Sequence, residues 1–426
     1  MWIVQRGLGR WDPEPGFEHA GYERRQFVRR RGRWNEPESD HTDHDRRGRG
    51  GSLLSAVPLS PSSDSGPAKG HWAALDGMRA FAVIAVMLFH VQQPHFFLGG
   101  YVGVDMFFVL SGFLITSLLI SERHQFGTVW MGGFYARRAL RLFPALALVI
   151  AVCAVVVLIL GDLSGRRHDT LVGIPFATFF VGNWVLGLAD SLKLGLLNHT
   201  WSLAIEEQFY LVWPLTLLVL VRRMSHDAIA AVLLGLAGAE SIARLAVVLA
   251  GYPWERTYYL TIFHSDGLLV GSALALLFTK HRDALARGWN RLVAAGACVL
   301  LVLLAVSGDN TYGREAPVWI TLAVLATAAV LVNVLTSPLR PLSWVLGSRV
   351  AVWIGKRSYG LYLWHIPIYL TLISLVPATQ GARDLACAIG FVATFVFAGL
   401  SYRYVERWFF HRRGRFERTT ALAGLG

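Results

Sequence analysis

From Ala73 onward the chain alternates long apolar stretches with short polar connections. Ten of these stretches lie near residues 74–94, 101–120, 139–160, 202–221, 228–250, 260–279, 291–307, 317–336, 358–377 and 385–405. Each is close to the ~20 residues that a helix needs to traverse the hydrocarbon core of a bilayer. A further stretch, Gly173 to Leu188, is apolar but shorter and broken by Pro175, Gly182 and Asn183, so it is expected to be re-entrant or interfacial. Residues 1–71 are rich in Arg, Asp, Glu, His, Pro, Gly and Ser and lack hydrophobic periodicity. That composition predicts a disordered tail, or an over-long start with the working protein beginning near His71. The expected fold is an all-α polytopic membrane protein, about ten helices in one bundle over 72–408. A cytoplasmic tail (1–71) precedes it and a basic tail (409–426) follows, with no internal repeat and no appended soluble domain.

Composition supports this class. The chain is 54% hydrophobic and 16% charged, with a mean hydropathy of +0.45, whereas soluble domains carry about 25% charged residues. A formal net charge of +12 invites a nucleic-acid partner, but its placement argues otherwise. Residues 1–71 hold 12 Lys/Arg against 10 Asp/Glu, so most of the excess lies in short loops between apolar stretches. If Gly173 to Leu188 does not cross, twenty Lys/Arg sit on the side of the two termini and six on the other. If it does cross, the bias inverts for every later loop. The positive-inside pattern therefore predicts ten spans in a plasma membrane, both termini cytoplasmic, the bilayer as partner and no nucleic acid. Cys153, Cys298 and Cys387 fall in apolar runs without pair spacing, as small core residues rather than a disulfide framework or a metal site.

Charge inside the apolar pattern is where chemistry is expected. Arg79 and His90 interrupt the first span eleven residues apart, which puts them on one face about 16 Å apart along the axis. A charge in hydrocarbon costs at least ~2–3 kcal/mol, so such residues are turned into the bundle. Two basic groups on one stripe, one near the surface and one deep, suggest a reaction path through the bilayer. Glu206 is a carboxylate roughly 9 Å into its helix, and Tyr210, four residues on, shares its face. Its obvious partner is His90; the alternative is a structural pairing with Arg79 or Arg244. Asp105 opens the second span near the level of His90, where it orients the imidazole or caps the helix. Asp76 and Arg79 are spaced for an i,i+3 pair, Glu240 and Arg244 for an i,i+4 pair. Ser111 and Gly112 suit close helix packing.

Four segments carry a family resemblance. They are Arg79 and His90 followed by G-V-D-M-F-F-V-L-S-G-F; Arg137, Arg138 and Arg141 before Pro144; H-T-W-S-L-A-I-E-E-Q-F-Y from His199; and G-K-R-S-Y-G-L-Y-L-W-H-I-P from Gly355. Together they resemble the acyltransferase-3 family of integral membrane acyltransferases over roughly Leu75 to Arg407. The resemblance implies transfer of an acyl group, often acetyl from acetyl-CoA, to a hydroxyl of a carbohydrate, glycolipid or natural product. Acyl-CoA would be a co-substrate, with no resident cofactor. It implies His90 as general base, or as the carrier of an acyl-histidine. Arg79 would hold the CoA phosphates or polarise the thioester carbonyl. Arg137, Arg138 and Arg141 suit nucleotide phosphates, although topological anchoring would produce the same run. His199, Trp201, Ser202, Tyr210, Asp105, Asp266 and His365 are the candidates for substrate contact, His365 equally a satisfied core histidine. Tyr359 and Tyr362 are expected to pack with a hydroxyl anchor. The chain departs from the family at His264, where Arg is usual, and at Trp408, where Pro commonly follows the V-E-R of Glu406. There is no H-E-x-x-H, no G-x-S-x-G and no phosphate-binding glycine loop. The alternative, a secondary transporter or flippase with these charges as a proton relay, lacks the repeat symmetry many transporters show.

Overall fold

The computed structural model describes residues 68–409 except 92–96, 163–164, 190–191, 288–289, 308–312 and 314, with backbone only for 68–72. The expectations placed on 1–71 and on the basic tail fall almost wholly outside the described residues. Among the described residues all regular structure is helical. Seven helices are long and apolar enough to cross a membrane: α1 (Ala68–Val91), α2 (Val102–Phe126), α3 (Met131–Ile159), α6 (Trp201–Leu220), α7 (His226–Leu249), α11 (Ala316–Thr336) and α15 (Gln380–Ser401). Three more helices, α9 (Asp266–Leu285), α10 (Asn290–Val306) and α14 (Ser358–Ser374), coincide with the other expected segments. The chain is an all-α polytopic membrane protein.

The Gly173–Leu188 stretch forms α4 (Arg166–Thr178) and α5 (Gly182–Leu188), separated by a break at which Phe180 takes φ +53°. Gln208 of α6 pins this break: its Nε2 donates to Phe180 O and to Asn183 Oδ1, both at 2.8 Å. Its Oε1 accepts from Trp184 Nε1 (3.1 Å) and Thr261 Oγ1 (2.8 Å). Helix direction shows what the segment does. Ser111 meets Glu206 and Thr116 meets Trp213, so α2 and α6 run parallel. Arg138 against Tyr210 and Tyr135 against Leu211 make α3 antiparallel to α6. With α3 the one reversal between two parallel helices, residues 166–188 make no net passage through the bundle.

The parallel pair α2 and α9 packs through small residues. A Cβ on Gly112 would overlap Leu268 O, and one on Gly271 would overlap Val109 O; Ser272 Oγ donates to Gly112 O at 3.2 Å. This is the close backbone approach that Gly permits between membrane helices. Ser111, read above with Gly112 as a packing residue, instead turns its hydroxyl to Glu206.

Two starts differ from the hydrophobic pattern. Helix α3 begins at Met131 rather than near 139, so Arg137, Arg138 and Arg141 lie within it. Helix α9 begins at Asp266 rather than 260, after the short α8 (Trp254–Tyr259). The reason is Glu240, whose carboxylate accepts from the amides of Ser265 and Asp266 (the latter at 3.2 Å) and from Ser265 Oγ at 3.0 Å. An acid at a helix start satisfies amides that have no partner within the helix. Glu240 is therefore not Arg244's partner. Arg244, fully buried, donates to Asp266 Oδ2 at 2.8 Å, Phe263 O at 2.6 Å and Thr321 Oγ1 at 2.9 Å. Two short helices, α12 (Arg340–Leu346) and α13 (Arg349–Lys356), lie against the start of α1, where Gly77 and Gly355 let backbones touch.

Candidate active site

Helix α1 carries Arg79 and His90 on the side that faces α14. Arg79 Nε donates to Ser358 Oγ at 3.2 Å, and the His90 ring lies 5.0 Å from that of His365. The two helices are parallel, and the stripe on α1 is matched by a polar stripe on α14. At the Arg79 level there is a cavity of about 40 Å3 lined by Arg79, Phe107, Ser202, Glu206, Ser358 and Tyr362, among others. The guanidinium stands 5.5 Å from the centre of the Phe107 ring. Glu206 Oε1 accepts from Ser111 Oγ at 2.7 Å, so a half-buried cation and a half-buried carboxylate share one small space. The expected Asp76–Arg79 pair is not made; among the described residues the buried Asp76 Oδ1 has no hydrogen-bond partner.

Ser202 and Tyr362 close the cavity on the His90 side. Tyr362 Oη donates to His199 O at 2.9 Å, which leaves its lone pair to accept from Ser202 Oγ at 2.6 Å. Beyond that contact stand three imidazoles. His199 and His365 rings are 5.3 Å apart, His365 and His90 5.0 Å. His90 Nδ1 faces Val86 O (2.9 Å), His199 Nε2 faces Leu363 O (3.1 Å) and His365 Nδ1 faces Tyr362 O (2.5 Å). A carbonyl only accepts, so each of these nitrogens carries the proton.

Local sequence explains the second of these bonds. Pro367 lies inside α14 and has no N–H, so the carbonyl four residues earlier, Leu363 O, loses its helical donor. His199 Nε2 takes its place. Replacing Pro367 with Ala restores the helical donor and puts it in competition with His199. The expected result is a thermal midpoint unchanged or raised, while transferase turnover falls by about tenfold or more. An equal loss of both in paired melting and turnover measurements would make Pro367 a packing residue only.

The structure brings Arg79, Glu206, Ser202, His90, His199 and His365 together along one line, with Tyr362 between the two ends. Glu206 makes no hydrogen bond with His90; it faces Ser111 and the Arg79 cavity. Asp105 does not reach His90 either. It is fully buried and binds His264 Nε2 at 2.8 Å, while His264 Nδ1 donates to Tyr258 O at 2.6 Å. A ring that donates from both nitrogens, one to a carboxylate, does what an arginine would do there, which accounts for His264 at that position. Trp201 stacks on this ring at 5.7 Å. Asp266 belongs to the Arg244 network, 2.8 Å from Nη2 and 3.1 Å from Ser241 Oγ. Asp105, Trp201 and Asp266 are not among the residues that line the Arg79 cavity.

The basic run also divides. Arg137 pairs with Glu122 at 3.0 Å, and Arg138 stacks 3.6 Å over the Tyr210 ring. The Arg141 charge lies within electrostatic reach of Asp76, Glu206, Glu207 and Glu406. Tyr359 has the expected anchor, donating to Leu142 O at 2.9 Å. Ser111, which holds Glu206 at the cavity, escaped the sequence reading as a site position. Of the signals missed, Pro367 was visible: a proline inside an apolar helix predicts a free carbonyl four residues earlier.

A family model described as an acyltransferase domain matches residues 72–403. Among curated relatives, the peptidoglycan O-acetyltransferase OatA of Listeria monocytogenes is 31% identical over 346 residues, 78% of this chain and 55% of that protein. A putative peptidoglycan O-acetyltransferase of Bacillus subtilis, YrhL, is 34% identical over 349 residues, 78% of this chain and 54% of its own. A putative O-acetyltransferase of Staphylococcus aureus is 31% identical over 356 residues, 78% and 56% of the two chains. The chain spans about half the length of these relatives. No solved structure matches it. With its motifs, its helical bundle and a model match over 72–403, the chain belongs to the acyltransferase-3 family of membrane acyltransferases.

Proposed function

We propose that this chain moves an acetyl group from cytosolic acetyl-CoA to a hydroxyl of a cell-envelope glycan on the far side of the plasma membrane. The observation that carries this is the polar line from the Arg79–Glu206 cavity, past Ser202 and Tyr362, to the three imidazoles. The relatives named for peptidoglycan O-acetylation support the class of acceptor. The excess of Lys and Arg on the side of the termini supports their cytoplasmic placement and the entry of CoA from that side.

In this mechanism Arg79 engages the CoA arm on the cavity side of the Ser202–Tyr362 contact, and the thioester carbonyl reaches past that contact to His90. His90 donates through Nδ1 to Val86 O, so Nε2 is the nitrogen with a lone pair to take the acceptor's hydroxyl proton. The hydroxyl oxygen bonds to the carbonyl carbon, the carbon–sulfur bond breaks, and the proton on Nε2 passes to the departing CoA thiolate. Glu206 balances the cation in the cavity. Arg141, with Arg137 and Arg138 on the same helix, supplies positive charge for the CoA phosphates. The cavity is smaller than a thioester arm, and the Ser202–Tyr362 contact separates it from His90. That contact must part for the acyl group to pass.

The test uses the purified full chain in nanodiscs with no ion gradient, radiolabelled acetyl-CoA and a chitin tetrasaccharide as acceptor, followed by mass spectrometry of the sugar. Label on a sugar hydroxyl is expected. A chain that moves label only across sealed vesicles under a gradient, and never onto the sugar, is a transporter.

A further inference from the structure

Two buried nitrogens in the imidazole cluster have no hydrogen-bond partner among the described residues: His199 Nδ1 and His365 Nε2. Their rings are 3% and 0% exposed. The opposite nitrogen of each donates to a main-chain carbonyl of α14. Among the described residues no carboxylate hydrogen-bonds to any of the three rings, and an unpaired buried charge is costly. The two free nitrogens therefore present lone pairs. A third orphan belongs to a neighbouring ring: the buried Oη of Tyr369, whose ring centre is 6.0 Å from that of His365. Buried polar atoms are rarely left unpaired, so each orphan calls for an occupant. Among the described residues no group of three or more His, Cys, Asp or Glu is disposed to hold a cation.

We infer that His199 Nδ1, His365 Nε2 and Tyr369 Oη form the subsite for the acceptor, and that it takes a polyol: two hydroxyls donating to the imidazoles and one oxygen accepting from the phenol. An apolar ligand leaves all three unpaired, and a fully ionised phosphate or a phosphodiester offers no donors to the nitrogens. Hydroxyls on neighbouring carbons of a sugar supply the required set. His90, half-buried and 5.0 Å from His365, stands beside this subsite, so one of the bound hydroxyls is the one it deprotonates. His199 and His365 are thus binding residues that select a hydroxyl-rich acceptor. That the bound polyol is the acyl acceptor rests on the acyl-transfer reading; polyol binding does not.

The two rings can be tested by substitutions that keep the anchor and delete the lone pair. Asn reproduces the Nδ1 side of an imidazole and Gln the Nε2 side. His365→Asn retains a donor to Tyr362 O and loses Nε2, whereas His365→Gln retains an acceptor at the Nε2 position. His199→Gln retains a donor to Leu363 O and loses Nδ1. Binding of chitin tetrasaccharide to the full chain in nanodiscs is measured by saturation-transfer NMR, and KM and kcat by acetyl transfer to the same sugar. His365→Asn and His199→Gln are expected to weaken sugar binding about fivefold or more each, the scale of one hydrogen bond. KM for the sugar should rise, while KM for acetyl-CoA stays unchanged. His365→Gln should recover part of the binding. Unaltered sugar binding in folded His365→Asn and His199→Gln overturns the subsite, as does a wild-type chain that binds no sugar. A variant that loses only kcat, with sugar binding intact, does the same. Wild-type binding without transfer sinks the acetyltransferase reading and leaves the polyol subsite standing.

Discussion

A His90→Asn chain is expected to fold and to transfer acetyl groups roughly 10²–10⁴ times more slowly, the loss that removal of a general base produces. Asn reproduces the donor to Val86 O that His90 makes through Nδ1 at 2.9 Å and deletes Nε2. The measurement is single-turnover release of CoA from acetyl-CoA in the presence of the sugar, alongside a melting curve. Near-normal turnover in a folded His90→Asn chain would remove His90 from the mechanism. His90→Ala is the less informative variant, because it also removes the contact with the Phe89 and His365 rings.

Arg244→Met is the change with the largest expected effect on stability. It strips the cation from Asp266 inside the bundle and leaves Phe263 O and Thr321 Oγ1 without their donor. Removing one partner of a buried ion pair typically costs about 3–5 kcal/mol, since the remaining charge stays buried and uncompensated. Unfolding midpoints in detergent should fall accordingly. The double variant Arg244→Met with Asp266→Asn should regain part of the loss, because the stranded charge is gone. A single variant as stable as the parent would show that the pair contributes nothing. Because Asp266 opens α9, and α9 packs on α2 beside the cavity wall, transfer should fall with stability rather than ahead of it.

Much of this protein is legible in its residues before any coordinates. Stretches of about twenty apolar residues can satisfy their backbone polar groups in lipid only by coiling into helices, and the ten stretches reappear as ten helices. Arg79, His90, Glu206 and His365 stand out for the same reason: charge and imidazole are expensive in that setting. What the pattern could not supply is partner choice. Glu240 and Arg244 have ideal spacing for each other, yet each binds the Phe263–Asp266 turn, because that turn brings amides, a carbonyl and a carboxylate that a neighbour on the same helix cannot match. Asp105 sits at a depth that suggests His90 and instead finds His264, which arrives from a segment 159 residues away.

The periodicity of the chain by itself determined that this is a membrane-embedded helical bundle with two basic groups on one stripe, since hydropathy and helical repeat are local properties. Only the tertiary structure decided that residues 166–188 turn back without a net crossing, because helix direction is read from which residues meet across the bundle. It likewise decided that Glu206 faces Ser111, and that three histidines from three separate helical segments gather at one point. Those contacts depend on where Pro367 frees a carbonyl and where Gly112 and Gly271 let two helices close, and no single stretch of sequence contains both halves of such a contact.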